Sequence, residues 1–502
     1  MGIRVLFVYS DISGAERYGA KKYYSGVGSL SAVLREAGHE TELLYSGYQL
    51  DEGELLASVD AASPDLVAFS TTTHQYPYIV EYARILKRER PNLVRVCGGT
   101  HPTLVPEEVS ANPDFDIVCV GEGEEAMVDL ADALAAGRSY ESIANLWVRR
   151  GEKVLRNPMR PLIKDLDSLP MVDREVFGFD QILAANDGWV DMMVGRGCPY
   201  NCSYCCNHAL KARYKGLGAY VRFRSPEHVM AELRALGEMY AVKTINFQDD
   251  IFTLNKRWTL DFCQAYAAEF EWPFWINTRV DRITDPEVVE ALAKARCAGI
   301  RVGVENGNED LRVTVLNRRM SNADIIAAFR LAQEHGLKTS TTNMIGVPGE
   351  TFATIEQTID LNRQLHPDDF QFSVFYPYPM TELGDACVAQ GLIREGAETD
   401  SYFSGVSILD LPTISADALA EGYRRFEALG DELALWRASP RKHKAYTMLL
   451  KLYGRDGPRL QHHLYKLRAL RRAIKRLIRG PAAASSGADA DAAQLEEIET
   501  HS

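Results

Sequence analysis

Residues 195–210 read GRGCPYNCSYCCNHAL and contain four closely spaced cysteines. This stretch places Cys198, Cys202 and Cys205 at the spacing CxxxCxxC, directly after an apolar run that is typical of a buried strand. Three thiolates on one loop can hold three irons of a cubane iron–sulfur cluster. The fourth iron would then be open to an exogenous ligand.

A zinc site is the alternative interpretation of this loop, because Cys206 and His208 stand next to the three cysteines. Structural zinc favours four protein ligands at paired spacings, and no second CxxC appears in the sequence. A cluster of merely buried thiols is the other alternative. We expect Cys206 to be a packed thiol.

Apolar runs alternate with helical patterns on the carboxyl side of this loop, over residues 189–395. Strands are predicted at 189–194, 243–248, 274–277, 299–304, 338–345 and 369–375. Six β/α units of this kind predict a barrel or partial barrel with its site at the carboxyl ends of the strands.

The same alternation precedes the loop, over residues 1–140. Strands are predicted at 3–9, 40–45, 66–70, 93–97 and 117–120, each followed by a polar or glycine-rich loop. Continuous apolar strands between helices predict a doubly wound, Rossmann-like parallel sheet of the α/β class. Ligands bind such sheets at the carboxyl ends of the strands.

The remaining segments connect or extend these two units. Residues 141–188 contain three prolines and mixed charge, and we expect an ordered linker or strap. Residues 396–480 lack strand alternation and are predicted to be helical. Residues 481–502 are small, polar and acidic, which is typical of a disordered tail.

The cysteine motif and the strand ends that follow it resemble the radical S-adenosylmethionine (SAM) superfamily. Tyr204 occupies the aromatic position of the family's CxxxCx-aromatic-C loop, and the motif FQDDIF stands where the family meets the SAM amino group. The resemblance implies a [4Fe–4S] cluster on Cys198, Cys202 and Cys205. It further implies SAM contacts from Tyr204, Asp249, Asp250, Asn277, Arg279, Glu305 and Gly346.

Residues 1–140 are similar to the cobalamin-binding domain that precedes many radical SAM barrels. The resemblance implies cobalamin contacts from Ser70, Thr71, Thr72, Gly98, Gly99, His101, Gly121, Glu122 and Gly123. The DxHxxG loop of the wider cobalamin-binding class, whose histidine coordinates cobalt, is absent. His74 and His101 remain open as ligand contacts or as ordinary loop residues, and His39 is expected to pack. The resemblance therefore implies cobalamin held without a protein imidazole on cobalt.

The combined family implies an enzyme that cleaves SAM to a 5′-deoxyadenosyl radical and methylates an unactivated carbon from methylcobalamin. The alternatives are the same cofactors used without net methyl transfer, for rearrangement, cyclisation or oxidation, and a non-catalytic cobalamin-binding sensor or scaffold. No catalytic side chain is assigned, although Tyr376 and Tyr378 could line the substrate face. A flavodoxin- or ferredoxin-type electron donor and a small-molecule substrate are the expected partners.

Composition and charge limit the remaining classes. The chain has 502 residues, 46% hydrophobic and 25% charged, with a net charge of −13, so nucleic acid is not an expected partner. Residues 437–479 nevertheless hold fourteen Lys and Arg and one acid. The helical pattern over 459–479 is basic and amphipathic, so it could contact a membrane or pack on the acidic remainder. Clustered cysteines and the lack of an apolar leader or span predict a cytoplasmic protein.

Overall fold

Two parallel sheets organise the protein in a computed structural model, which describes residues 2–12, 22–397, 403 and 405–439. One unit comprises residues 1–16 and 20–427 and contains both sheets. The other comprises residues 17–19 and 428–502, and its described residues, 428–439, include the end of the helix Ala416–Ala438. The predicted basic helix over 459–479 and the predicted tail over 481–502 lie outside the described residues.

The first sheet has seven strands in the order β2–β1–β3–β4–β5–β6–β7. Strands β1 to β5 run parallel, and β6 and β7 are antiparallel. Six of the seven residues of β1 are buried, as expected for a parallel sheet covered on both faces. The bounds are Arg4–Ser10 (β1), Glu40–Ser46 (β2), Leu66–Ser70 (β3), Val94–Gly98 (β4), Ile117–Cys119 (β5), Leu146–Arg150 (β6) and Lys153–Arg156 (β7).

The second sheet is a six-stranded parallel half-barrel in the order β15–β14–β13–β12–β11–β8. All six strands lie where the alternation predicts them. A separate short ladder joins β9 to β10 beside the cysteine loop. The bounds are Trp189–Met192 (β8), Gly195–Arg196 (β9), Arg222–Phe223 (β10), Thr244–Phe247 (β11), Phe274–Thr278 (β12), Cys297–Glu305 (β13), Lys338–Ile345 (β14) and Asp369–Val374 (β15).

Helices connect the strands and cover the sheets. A continuous hydrophobic core joins both sheets, with Phe7 and Ala68 from the first and Phe247 and Ile276 from the second. The helices of the first region are Ser25–Glu36, Glu52–Ala62, Tyr76–Glu89, Thr100–Leu104, Pro106–Ala111, Glu124–Ala135 and Phe179–Ala185. Those of the second are Cys206–Arg213, Pro226–Met239, Lys256–Glu269, Pro286–Lys294, Glu309–Thr314, Asn322–Glu334, Phe352–Leu365, Glu382–Ala389 and Ala416–Ala438. Within the described residues, no helix is long and apolar enough to span a bilayer.

The first sheet continues past residue 140, where the sequence predicted a linker. Strands β6 and β7 form an antiparallel hairpin that pairs with β5. The hairpin escapes a pattern search because β7 is charged and mostly exposed, as an edge strand is. The rest of the predicted linker, up to residue 188, runs as loops, two 3₁₀ turns and one short helix.

Candidate functional site

A cavity of about 480 Å³ lies where loops at the strand ends of the first sheet face the cysteine loop. From the first sheet it is lined by strand-end residues such as Ser70 and Gly98. From the cysteine loop and the barrel it is lined by Cys206, Asn207 and Asp250. A molecule in this cavity would touch both domains at once.

One end of the cavity is a deep apolar slot within the first domain. Its walls are Phe7, Ala68 and Val96 on the sheet and Leu30 and Met127 on the two covering helices. Such a slot suits a flat, largely apolar group that enters between a sheet and its helices. The other end is polar and aromatic, with Tyr214, Tyr220 and several arginines.

Six of the nine residues predicted to contact cobalamin line this cavity: Ser70, Gly98, Gly99, Gly121, Glu122 and Gly123. Gly99 and Gly121 have positive φ, and a Cβ on Gly99 would lie 2.7 Å from the Thr71 carbonyl oxygen. Thr71 and Thr72 do not line the cavity. They shape the turn after β3, where the Thr71 amide bonds to Gly98 and the Thr72 amide to Gln75.

His101 is the third predicted cobalamin contact that does not line the cavity. It is 3% exposed, its ring lies 4.3 Å from that of Tyr76, and Nδ1 is 3.2 Å from the Thr73 hydroxyl. Burial lowers the pKa of His101 to about 4. It packs inside its own domain because the short helix that carries it turns the side chain away from the cavity.

The other histidines also have packing partners. The His74 ring lies 4.4 Å from that of Tyr376 and 5.4 Å from that of Tyr378, so the first domain touches the end of β15 here. His39 accepts the Ile3 amide, as the expected packing role requires. Among the described residues, His228 is the one histidine that lines the cavity.

An ionic network joins the two domains beside the cavity. Glu122 of the first domain accepts hydrogen bonds from Arg196 at 2.7 Å, from Arg222 at 2.8 and 3.0 Å, and from the Ile163 amide at 2.9 Å. Arg196 also contacts Glu124 at 2.6 Å. Burial alone would raise the pKa of Glu122, but Arg222 and Arg196 lower it below its ordinary value. Glu122 therefore connects the domains, in addition to lining the cavity.

The cysteine loop is fixed by contacts from distant parts of the barrel. The Ser203 amide donates to the Leu316 carbonyl at 3.2 Å, and the Leu383 amide donates to the Ser203 carbonyl at 2.9 Å. The His208 ring bridges the Cys202 carbonyl and the Glu382 amide. Cys198 and Cys202 are buried, and Cys205 is half-buried at the start of the helix Cys206–Arg213.

Cys205 and Cys206 differ in their ionisation. A hydrogen bond from the Cys206 thiol lowers the pKa of Cys205 to about 7 against the opposing effect of burial. The same hydrogen bond and burial raise the pKa of Cys206. Because metals bind the thiolate, this order suits Cys205 as the ligand and Cys206 as a neutral neighbour.

Two buried arginines reach the sulfur of Cys202. Arg279, a predicted SAM contact, lies with Nη1 3.7 Å from Sγ, and Arg318 lies with Nη1 3.5 Å from the same atom. Arg318 also donates to the Tyr204 hydroxyl at 3.2 Å and lies 3.9 Å from Glu305. Arg318 belongs to no motif that the sequence analysis used, and it enters the site only because its loop folds against the cysteine loop.

The two aspartates of FQDDIF have different surroundings. The Asp249 carboxylate accepts the amides of Val194 and Gly195 at 2.7 to 3.1 Å, so it holds the backbone that leads into the cysteine loop. Burial raises the pKa of Asp249 to about 7. Asp250 lines the cavity and accepts a bond from Asn207 at 3.1 Å. Asn277 donates to the Asp249 carbonyl at 3.2 Å.

A buried glutamate, Glu350, connects the ends of β13 and β14. Glu305 has φ of 66°, a strained value for a non-glycine residue, at the end of a register shift in β13. Next to it, Asn306 donates to Glu350 at 2.7 Å, and the Gly346 amide also donates to Glu350. Burial raises the pKa of Glu350 to about 7. The sequence analysis did not single out Glu350, although it lies within GVPGET.

The cysteine loop fits an iron–sulfur cluster by its donor set and its charge. Three thiols share one loop, and the guanidinium groups of Arg279 and Arg318 stand ready to offset thiolate charge. No three Cys, His, Asp or Glu side chains in the described ranges converge on one metal ion. A cubane cluster does not require the three side chains to converge on one point, because each thiolate binds a different iron.

Comparison with known proteins matches both halves of this arrangement. The B12 binding domain model matches residues 19–131, and the radical SAM superfamily model matches residues 192–361. The chain is 29% identical over 372 residues to the uncharacterized methyltransferase PH0819 of Pyrococcus horikoshii, covering 73% of this chain and 79% of that protein. It is 25% identical to the anaerobic magnesium-protoporphyrin IX monomethyl ester cyclase of Rubrivivax gelatinosus, covering 76% and 69%.

A solved structure has a similar fold over most of the chain. The radical SAM methyltransferase TsrM of Kitasatospora setae, solved with cobalamin and a [4Fe–4S] cluster, aligns with a TM-score of 0.63 at 19% identity, covering 85% of each chain. At this identity the likeness is one of fold. The two domain matches identify the chain as a cobalamin-dependent radical SAM enzyme, whose cofactors are a [4Fe–4S] cluster, SAM and cobalamin.

Proposed function

We propose that the enzyme methylates an unactivated carbon of a small-molecule substrate. The observation that carries this proposal is the position of Asn207. Its side-chain amide lies 3.6 Å from Sγ of Cys205, and the same residue lines the interdomain cavity. A cobalamin in the cavity would therefore lie beside the cluster loop, as methyl transfer to a substrate radical requires.

The proposed cluster ligands are Cys198, Cys202 and Cys205. The proposed SAM contacts are Tyr204 on the same loop, Arg279 beside Cys202, Asp250 in the cavity lining, and Asn277, Glu305 and Gly346 at the ends of β12, β13 and β14. The backbone contacts of Asp249 favour a supporting role for it. The six cavity-lining residues of the first domain are the proposed cobalamin contacts, and the apolar slot is proposed to take the nucleotide base of the cofactor.

When bound, the cofactors supply one-electron cleavage of SAM and a transferable methyl group. The protein positions the cofactors and the substrate and shields them from water. The ion pairs of Glu122 hold the two domains together, the barrel fixes the cysteine loop, and burial excludes water from a radical reaction. Tyr376 and Tyr378, at the end of β15 and against His74, are the proposed wall on the substrate side.

Product analysis with methyl-labelled SAM and reconstituted enzyme tests the proposal. Methyl label in the product, together with 5′-deoxyadenosine, is the expected result. 5′-Deoxyadenosine formed without label in any product would refute methyl transfer. A flavodoxin- or ferredoxin-type protein is the proposed electron donor, and it is tested by replacing the chemical reductant in the same assay.

A second candidate function is a reaction that uses the same cofactors without net methyl transfer. Three curated relatives named anaerobic magnesium-protoporphyrin IX monomethyl ester cyclase are 25 to 27% identical to this chain and favour this candidate. The labelled-SAM assay separates the two, since a cyclase yields 5′-deoxyadenosine and an oxidised, unlabelled product.

A further inference from the structure

Cys202 differs from the other two proposed cluster cysteines in its surroundings. Two guanidinium groups approach its sulfur, at 3.7 Å from Arg279 and 3.5 Å from Arg318, and each arginine is 6% exposed. Within the described residues, Cys205 receives only amide and thiol donors and Cys198 a backbone amide. The positive charge is therefore concentrated on one side of the cluster site.

Both arginines are held in place by contacts that do not involve the cysteine. Arg279 bonds through Nε to Asp281 at 3.0 Å and lies 3.7 Å above the ring of Tyr200. Arg318 donates through Nη2 to the Gly303 carbonyl and through Nη1 to the Tyr204 hydroxyl. A Cβ on Gly303 would lie 2.9 Å from Nη2 of Arg318, so glycine leaves the room that this contact needs. The two cations are preorganised.

Fixed cations next to a cluster thiolate increase the electron affinity of the cluster. One-electron reduction makes the cluster more negative without forming or breaking a bond, and a nearby positive charge stabilises the reduced form more than the oxidised form. Hydrogen bonds to the cluster sulfurs act in the same direction, because they also stabilise the more negative reduced form. Arg318 is the stronger candidate, because its carboxylate neighbour Glu305 lies 3.9 Å away, whereas Asp281 lies only 3.0 Å from Arg279.

We propose that Arg279 and Arg318 are positioning residues that raise the reduction potential of the cluster through Cys202. This inference rests on the proposed cluster cysteines, and it assigns the two arginines an effect that is present before SAM binds. It is distinct from any contact that either arginine makes with SAM.

The test is a potentiometric titration of the reconstituted full-length enzyme without SAM, followed by electron paramagnetic resonance of the reduced cluster. Arg318→Met should lower the equilibrium constant for one-electron reduction at least tenfold, which corresponds to about 59 mV. Arg318→Lys, which keeps the charge, should recover part of that shift. Arg282→Met is the matched control, since Arg282 bonds to the Tyr200 hydroxyl on the same loop at 2.8 and 2.9 Å.

An unchanged potential in Arg318→Met would overturn the inference, as would an equal shift in Arg282→Met. If Arg318→Met binds no iron, Arg279→Met is titrated against the same control and judged by the same two criteria. Failure of the proposed cysteine ligands is seen separately, because Cys202→Ala would then retain a full complement of cluster iron.

Discussion

Replacing Glu122 with glutamine tests whether the ion pairs between the two domains stabilise the fold. The substitution keeps the shape of the side chain and removes its charge. Glu122 accepts four hydrogen bonds, two from Arg222, one from Arg196 and one from a backbone amide. Its side chain is 14% exposed and that of Arg222 is 7% exposed, so water cannot solvate the Arg222 guanidinium in place of the lost carboxylate.

The expected loss follows from the burial of Arg222. Removing one partner of a buried ion pair costs about 3–5 kcal/mol because the other charge stays buried and uncompensated. Arg196 keeps Glu124 as a partner, and glutamine still accepts a hydrogen bond, so we expect about 3 kcal/mol. The entropy of unfolding is about 2.1 cal/mol/K per residue, so for a unit of this size the thermal midpoint of the cofactor-free protein should fall by about 3–4 °C.

The assay compares Glu122→Gln with Glu141→Gln, which removes the charge of an exposed pair with Arg150. The control should change stability by less than about 1 kcal/mol. The lowered pKa of Glu122 also determines how its contribution to the free energy of unfolding changes with pH. Its stabilisation is complete above the ordinary pKa near 4.5 and is lost as pH falls through the lowered folded-state value. Equal midpoints for the two variants at neutral pH would refute the reasoning.

Three further predictions address the cofactor sites. Cys206→Ala should keep full cluster iron, whereas Cys205→Ala should lose it by iron analysis; the opposite result would reassign the ligand. His101→Ala should leave the cob(II)alamin electron paramagnetic resonance spectrum unchanged and free of protein nitrogen splitting, and a splitting that disappears with His101 would contradict its packed position. Glu350→Ala should destabilise the protein by about 1–3 kcal/mol and weaken SAM binding by calorimetry, because Asn306 and Gly346 lose their acceptor; unchanged SAM affinity would remove Glu350 from the support of that loop.

Local sequence patterns were sufficient to predict most strands of the two sheets and the position of the cysteine loop. Apolar runs of four to eight residues encode buried parallel strands locally, so all six barrel strands and the first five strands of the other sheet were predictable. The spacing of the three cysteines is equally local, since the loop that carries them is short. The β6–β7 hairpin was not predicted in this way, because β7 is a charged, exposed edge strand and the buried apolar run of β6 is only three residues long.

Which side chains share the site depends on contacts between distant parts of the chain. Arg318 reaches Cys202 across 116 residues, and Arg222 reaches Glu122 across 100. His101, a strand-end residue by sequence, turned out to pack away from the cavity, and Asp249 turned out to bind backbone amides. The periodicity of the strands predicts at which edge of a sheet a loop lies. The direction of each side chain in that loop, and the residue that it contacts, depend on other loops that come close only when the two domains have folded together.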